Sequence, residues 1–294
     1  IRIDDLKTFD PLTNNQKLFF DAYKRGDYFI ALHGVAGTGK TFCALYKAIE
    51  EVLDKSNSFE KIIVVRSAVQ SREIGHLPGD VNEKMEIYQQ PYRQICETLF
   101  GRRDAWDRLE EQHFIQFIST SFIRGMSFDD AIIIVDEMQN MTFEEIDTVM
   151  TRVGYRSKIL WCGDYRQTDL NKKKNDMSGI LKFFDIAMHM KAFTRIEFTA
   201  DDIVRSSLVK DYILAKMKFE DKVGFLGLVI VQGALLPSHF SGTFPHWSLP
   251  LGVCCGLLCY QYRAWVQRDM VYTIGNITGL TLNGLMLIRI MVGA

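Results

Sequence analysis

The sequence predicts an α/β protein built on a parallel sheet, followed by an all-α bundle of three transmembrane helices. Two patterns carry this prediction: short apolar strands alternate with helices over most of the chain, and the composition changes abruptly after Lys222. Asp, Glu, Lys and Arg make up 24% of the 294 residues, yet none of them occurs between Lys222 and Arg263. We therefore assign residues 1–222 to a first domain and residues 223–294 to a second.

The first domain alternates helices and strands in a regular order. Strands are predicted at YFIALHG, KIIVVRS, AIIIVDE, SKILWCGD and RIEFT, and helices at NNQKLFFDAYKRG, TFCALYKAIEEVL, DVNEKMEIYQQPYRQICETLF, FEEIDTVMTRV, MSGILKFFDIAM and ADDIVRSSLVKDYILAKM. Thr13 is the expected N-cap of the first helix, and Pro91 predicts a kink or break in the third. Strands separated by helices favour a parallel sheet covered on both faces, in which ligands bind beyond the carboxyl ends of the strands.

Charge and cysteine content restrict the classes of function. The formal net charge is −1, so binding of nucleic acid would depend on local patches such as Lys172-Lys173-Lys174. The six cysteines lack the paired spacing of a zinc site and do not suggest a disulfide framework. They are expected to be small buried apolar residues in a reducing compartment.

A glycine-rich loop, GVAGTGKT, joins the first predicted strand to the helix after it. Gly34, Gly37 and Gly39 allow the backbone to curl so that successive N–H groups point at a phosphate, and the helix N-terminus adds its partial positive charge. In this spacing Lys40 reaches the β- and γ-phosphates of ATP and the Thr41 hydroxyl ligates Mg²⁺. A chance glycine turn is the alternative. The predicted nucleotide-binding residues are Gly34, Val35, Ala36, Gly37, Thr38, Gly39, Lys40 and Thr41.

Two adjacent carboxylates, Asp136 and Glu137, end the strand AIIIVDE. An enzyme that hydrolyses ATP needs one acid for the Mg²⁺ shell and one group to orient or deprotonate the attacking water. Adjacent side chains at a strand end point in different directions, so we assign Asp136 to Mg²⁺ and Glu137 to the water. A solvated acidic pair is the alternative. Glu137 also argues against a simple phosphotransferase, which does not activate water.

Five segments in order resemble the PhoH family, in the form carried by bacteriophages, over about residues 10–217. They are GVAGTGKT, RSAVQSREIGHLPGD at 66–80, FIRGMSFDDAIIIVDEMQN at 122–140, MTRVGYRSKILWCGDYRQTDL and DDIVRSSLVKDYI. The resemblance implies a RecA-like P-loop ATPase core related to superfamily-one helicases, with ATP hydrolysis and a role connected with single-stranded RNA. Because the first domain holds only one such core, unwinding would require a homo-oligomer.

The resemblance also implies roles for individual residues. Gln16 matches a glutamine that recognises adenine, although Thr13 and Gln16 alone would be only a helix capping box. Gln167 matches a residue that senses the γ-phosphate. Arg205 matches an arginine that neutralises transition-state charge in the same subunit or a neighbour, the alternative being a surface ion pair. Arg66 and Arg72 are candidates for nucleic-acid or subunit contacts.

The second domain is long and apolar enough for three membrane spans, predicted at residues 223–240, 247–262 and 270–292. A buried soluble core is the alternative. The stretch RDMVYTIGNITGLTLNGLMLI weakly resembles the SemiSWEET and PQ-loop transporter half-units, and this resemblance places Asn276 in a sugar pocket. Asn276 and Asn283 lie seven residues apart, so both are expected on one side of a helix.

Together these patterns predict a Mg²⁺-dependent ATPase whose catalytic residues are Lys40, Glu137, Gln167 and Arg205, with ATP and Mg²⁺ as cofactors. Solute transport by the second domain with the ATPase as its regulator, and an ATP-binding switch without hydrolysis, are the alternatives. The ATPase domain is expected in the cytoplasm, where ATP is available, with residues 223–294 in a membrane. The change at Lys222 has no Gly/Ser/Pro linker, which fits an artificial join as well as a natural fusion.

Overall fold

The computed structural model describes residues 1–67, 81–164, 177–217, 247, 250–251, 253–255, 257–258, 261 and 270–292, with the backbone alone for residues 81–85, 177–178 and 270–272. The chain divides into two compact units, Ile1–Arg205 and Ser206–Ala294. The domain boundary predicted at Lys222 falls outside the described residues and stays a prediction.

The first unit contains a six-stranded sheet in which every described pair of neighbouring strands is parallel. The strand order is β3-β2-β4-β5-β1-β6. The strands are β1 (Phe29–Gly34), β2 (Lys61–Arg66), β3 (Ile115–Ser119), β4 (Ala131–Asp136), β5 (Lys158–Gly163) and β6 (Phe193–Phe198). The helices are α1 (Asn14–Lys24), α2 (Lys40–Leu53), α3 (Val81–Phe100), α4 (Ala105–Glu111), α5 (Phe143–Met150) and α6 (Met177–Ala187). The parallel α/β sheet predicted from the alternating pattern is confirmed.

Helices cover both faces of the sheet and form one apolar core on each. Successive strand residues point to opposite faces, so Ile30 and Leu32 of β1 pack with α1 to α4, whereas Phe29 and Ala31 pack with α5 and α6. Every residue of β1, β4 and β5 is buried. This two-sided burial explains why these strands read as continuous apolar runs rather than as alternating ones.

Local details both agree with and depart from the sequence predictions. The Thr13 hydroxyl caps α1 by accepting a hydrogen bond from the Gln16 N–H, 3.4 Å away. α3 runs through Pro91 without a break. Strand β3 and helix α4 were not predicted, since β3 is a short edge strand whose apolar run is interrupted by the exposed Gln116.

The predicted last helix of the first domain, 200–217, begins only at residue 207. Ala200–Asp202 form a separate 3-10 turn instead. The Thr199 hydroxyl accepts from the Asp201 N–H, and the Asp202 carboxylate accepts from the Thr199 N–H at 2.8 Å. This capping box provides hydrogen-bond partners for the backbone N–H groups of the turn. The chain therefore continues in an extended conformation at Ile203.

In the second unit a helix runs from Met270 to Val292, and this C-terminal helix covers the third predicted span. Within the described residues, Thr273–Val292 is the one stretch long and apolar enough to cross a membrane, with a mean hydropathy of 1.3. Length and composition alone do not separate a span from a helix in a protein core. The span at 223–240 lies outside the described residues, and 247–262 is described only in part. The three-helix bundle therefore stays a prediction.

Candidate active site

The glycine-rich loop between β1 and α2 has the left-handed backbone that its glycines permit. The φ angles are +123° at Gly34, +76° at Gly37 and +78° at Gly39. Gly34 lies in register with Phe198 of β6, and a Cβ there would overlap the Phe198 carbonyl oxygen. The loop therefore needs glycine at this position for two reasons, conformation and space.

Main-chain hydrogen bonds from β6 and the segment after it hold the loop. The Val35 N–H donates to the Phe198 carbonyl at 3.0 Å, and the Val204 N–H donates to the Gly37 carbonyl at 3.0 Å. Within the loop, the Thr38 hydroxyl donates to the Val35 carbonyl at 3.0 Å. The loop is thus fixed at its start and its centre before any ligand contributes.

Lys40, the first residue of α2, turns its ammonium back toward the loop. Its Nζ donates to the Gly34 carbonyl at 3.0 Å, the Val35 carbonyl at 2.7 Å and the Thr38 Oγ1 at 3.2 Å. Burial lowers the pKa of Lys40, and the negative charge of Asp164 is the strongest effect that opposes this shift. The ammonium therefore lies inside the loop and close to the acidic ends of β4 and β5.

Asp136 has one hydrogen-bond donor on each carboxylate oxygen. The Thr41 hydroxyl donates to Oδ1 at 2.8 Å, and the Tyr92 hydroxyl of α3 donates to Oδ2 at 2.9 Å. Among the described residues no group of three or more His, Cys, Asp or Glu side chains is placed to hold a metal. A hydroxyl and a single carboxylate are nonetheless the hard oxygen donors that Mg²⁺ takes from a protein when phosphates and water complete its shell. The donor set therefore fits Mg²⁺.

Glu137 directly follows β4 and adopts a left-handed backbone with φ +52°. The Gln139 side-chain amide donates to its carboxylate, and the Gln139 Oε1 accepts from the Asp164 N–H at 3.0 Å. Burial raises the pKa of Glu137, and the neighbouring Asp136 adds to this effect. A non-glycine residue in this conformation is uncommon, and such positions cluster at functional sites.

Gln16 of α1 is buried against the glycine-rich loop. Its Nε2 donates to the Thr38 carbonyl at 3.0 Å, and its Oε1 accepts from the Leu12 N–H at 2.8 Å. Its side chain therefore does not form the reciprocal half of a capping box with Thr13. Each end of the amide keeps capacity for one further hydrogen bond, since Nε2 has two protons and Oε1 two lone pairs.

The remaining sequence-predicted residues differ in their placement. Arg205 is exposed and directly follows Val204, whose N–H binds the loop. Gln167 lies outside the described residues, as does Arg72. Asn276 is 1% exposed on the C-terminal helix, and its assignment to a transport pocket stays a prediction.

Two features of the site were not anticipated from the sequence. Tyr92 contacts Asp136, and Arg66, at the end of β2, lies in register with Asp136 of β4 and over the Tyr88 ring, 5.5 Å from its centroid. Arg66 therefore lies beside the acid pair. From the sequence it was a candidate for a nucleic-acid or subunit contact, and that role stays a prediction. The one sequence signal for Tyr92 is its spacing from Tyr88, which places both rings on one face of α3.

Comparisons with known proteins bear on this site. The profile of the family described as PhoH-like protein matches residues 8–216. The PhoH-like protein of Bacillus subtilis is 35% identical over 204 residues, covering 69% of this chain and 62% of the relative. The PhoH-like protein of Mycobacterium leprae is 34% identical over 218 residues, covering 73% of this chain and 60% of the relative. The chain thus spans about 60% of the length of these two relatives. Both are bacterial, and the resemblance to the form carried by bacteriophages stays a prediction, as does that of the second domain to transporter half-units.

Solved structures resemble the chain only distantly. The Pyrococcus furiosus Hef helicase domain is 10% identical with a TM-score of 0.37 and covers 93% of this chain and 59% of that one. A structure of Pif1 helicases at forked double-stranded DNA is 18% identical with a TM-score of 0.30. The match covers 64% of this chain and 43% of the helicase chain. Such scores support no argument about function.

Proposed function

The chain belongs to the PhoH-like protein family, and on this basis we propose that it is a Mg²⁺-dependent ATPase. The observation that carries the proposal is the meeting of four side chains at the carboxyl ends of β1 and β4, two strands separated in the sheet by β5. Lys40 and Thr41 follow β1, Asp136 ends β4 and Glu137 follows it. A hydrogen bond joins Thr41 to Asp136, and the charges of both acids act on Lys40.

Binding of ATP is assigned to the loop and to α1. The loop N–H groups and the N-terminus of α2 would cradle the phosphates, and Lys40 would exchange its contacts with loop carbonyls for the β- and γ-phosphates. Gln16 has one free donor and one free acceptor position, the pair needed to read the adenine edge. Because Gln16 also binds the Thr38 carbonyl, base and phosphate recognition would share one hydrogen-bonded unit.

Thr41 and Asp136 are assigned to hold Mg²⁺. The metal would neutralise charge on the β- and γ-phosphate oxygens. Glu137 would orient the attacking water and accept its proton as the new oxygen–phosphorus bond forms and ADP departs. Burial favours this role because it raises the pKa of the carboxylate and strengthens it as a base. Gln167 is assigned to sense the γ-phosphate and Arg205 to neutralise transition-state charge.

Turnover measurements on variants test the assignment. Glu137→Gln should reduce ATP turnover by at least about 100-fold while ATP still binds. Lys40→Ala should lose both binding and turnover. Glu144→Gln is the matched control, because Glu144 is an exposed acid of α5 and loses the same charge. Wild-type turnover in Glu137→Gln would refute the water assignment, and ATP binding without turnover in the unaltered protein would favour a nucleotide switch.

Coupling to single-stranded RNA and assembly into a homo-oligomer are further parts of the proposal, and they rest on the family resemblance alone. The turnover assay tests the first when single-stranded RNA is added, since coupling requires stimulation that Lys40→Ala abolishes. Analytical ultracentrifugation with and without ATP tests the second. A monomer in both conditions would remove the neighbouring subunit as a source of Arg205.

A further inference from the structure

Asp136 differs from an ordinary strand-end acid because both of its oxygens are already oriented. Thr41, from the helix after the phosphate loop, donates to Oδ1, and Tyr92, from α3, donates to Oδ2. The carboxylate is 6% exposed. With a donor on each side, it cannot rotate without breaking a buried hydrogen bond, which costs more than the bond contributes when formed.

Packing against two aromatic rings fixes the Tyr92 ring that carries this donor. The side chain is fully buried. Its ring lies 6.1 Å from that of Trp106 and 5.8 Å from that of Phe117, centroid to centroid. This packing holds the hydroxyl beside the Asp136 carboxylate.

A second contact ties α3 to the same acids. Arg66 lies over the ring of Tyr88, one helical turn before Tyr92. Its guanidinium is within electrostatic reach of Asp136, Glu137 and the Tyr92 hydroxyl. One face of α3 therefore contacts the acidic end of β4 directly through Tyr92, and through Tyr88 it contacts Arg66 of the neighbouring strand β2.

We propose that Tyr92 is a positioning residue for the Mg²⁺ site: its hydroxyl holds Asp136 Oδ2 so that Oδ1 stays directed at Thr41, and α3 thereby sets the geometry of the metal-binding pair. The inference rests on the proposed function, since it assigns the Mg²⁺ to Thr41 and Asp136. Groups that hydrogen-bond to metal ligands have this effect in other proteins, and their loss typically weakens metal affinity or activity roughly 10- to 100-fold.

The test measures binding of a fluorescent ATP analogue in EDTA and across a Mg²⁺ titration, in the full chain carrying Glu137→Gln to prevent hydrolysis. Tyr92→Phe removes the hydroxyl and keeps the ring. Its matched control is Tyr46→Phe, because Tyr46 is a buried tyrosine of α2 whose hydroxyl lies 3.4 Å from the Glu50 carboxylate, outside the site.

Tyr92→Phe should leave the affinity for the ATP analogue in EDTA within about 2-fold of that of the Glu137→Gln parent. It should raise the Mg²⁺ concentration that gives half of the maximal enhancement of analogue binding about 10-fold or more. Tyr46→Phe should change neither value. An unchanged Mg²⁺ midpoint in Tyr92→Phe, or an equal shift in Tyr46→Phe, would overturn the inference. Loss of analogue binding in the Glu137→Gln parent would instead overturn the proposed function on which the inference rests.

Discussion

Replacement of Gly34 by Ala tests whether strand β6 is seated against the phosphate loop. Gly34 has φ +123°, and a Cβ on it would lie 2.9 Å from the Phe198 carbonyl carbon and amide nitrogen and closer still to the carbonyl oxygen. The obstructing atoms are backbone, so they cannot rotate away. Accommodation requires β6 to move and weakens the hydrogen bond from the Val35 N–H to the Phe198 carbonyl.

The magnitude is the sum of three effects. The left-handed backbone costs an alanine roughly 1–2 kcal/mol. Overpacking adds roughly 1–3 kcal/mol, and loss of a buried hydrogen bond roughly another 1–3 kcal/mol. Gly26→Ala isolates the first effect, because Gly26 has φ +89° and a Cβ there meets nothing within 4 Å. We expect Gly34→Ala to lower the free energy of unfolding by about 2–6 kcal/mol more than Gly26→Ala does.

Urea denaturation followed by tryptophan fluorescence measures this difference. Trp106 and Trp161 are fully buried in the first unit and report on its unfolding. The tryptophans of the second unit are replaced by phenylalanine in all variants to remove their signal. Equal unfolding free energies for Gly34→Ala and Gly26→Ala would show that β6 does not lie against the loop, and the arrangement described for Phe198 would be refuted.

Three further predictions follow from buried polar groups. Burial, with the charges of Arg195 and Lys40, lowers the pKa of His33 to about 3. The unfolded histidine binds a proton near pH 6.5, so stability should fall as the pH drops below that value, by roughly 2–3 kcal/mol at pH 4.5, and less in His33→Gln, as measured by urea midpoints. Burial raises the pKa of Cys43 to about 12, so mass spectrometry should find its thiol unmodified by iodoacetamide at pH 8 in the folded protein and modified after unfolding in urea. Gln16→Ala should lose roughly 1–3 kcal/mol of stability, because the Leu12 N–H and Thr38 carbonyl lose their partner, and should reduce the preference for ATP over GTP in competition binding.

Each of these predictions has an outcome that contradicts it. An identical pH profile for His33→Gln and the unaltered protein would mean that His33 is not neutral and buried under native conditions. Modification of Cys43 as fast in the folded protein as in urea would place that thiol in contact with solvent. If Gln16→Ala changed stability without changing nucleotide preference, Gln16 would support the loop without recognising the base.

The sequence predicted five of the six described strands, because strands buried on both faces are continuous apolar runs. It did not predict β3, which pairs with β2 alone at the edge of the sheet and carries the exposed Gln116. It also did not predict the strand order, since the pairings that define it join distant segments. The pairing of β1 with β5 and β6, for example, brings Phe29 beside Ile159 and Phe193.

In the candidate site, too, some residues could be predicted from the sequence and others could not. Lys40, Thr41, Asp136 and Glu137 could be assigned because their chemistry depends on short spacings that a single sequence displays. Tyr92 could not, because it meets Asp136 across 44 residues and its role depends on where α3 crosses the end of β4. Local motifs thus identify the atoms that meet the ligand, and tertiary packing decides which residues orient them.

The family match includes segments before β1 and after β6 that are hydrogen-bonded to the phosphate loop. It runs over residues 8–216, whereas β1 begins at Phe29 and β6 ends at Phe198. At the N-terminal end Gln16 binds the Thr38 carbonyl, and at the C-terminal end Val204 binds the Gly37 carbonyl. The Asn15 side chain donates to the Asp202 carboxylate at 2.7 Å and joins the two ends to each other.

If the chain hydrolyses ATP as proposed, this closed arrangement would affect catalysis. A movement of α1 on base binding would be transmitted both to the loop, through Gln16, and to the segment that carries Arg205, through Asn15 and Asp202. Asp202→Asn keeps the shape of the side chain and removes the charge that Asn15, the Thr199 N–H and the Thr199 hydroxyl all contact. If base binding and Arg205 are coupled through this link, Asp202→Asn should reduce the ratio of ATP to GTP turnover. A fall in both rates by the same factor would mean that Asp202 only stabilises the fold.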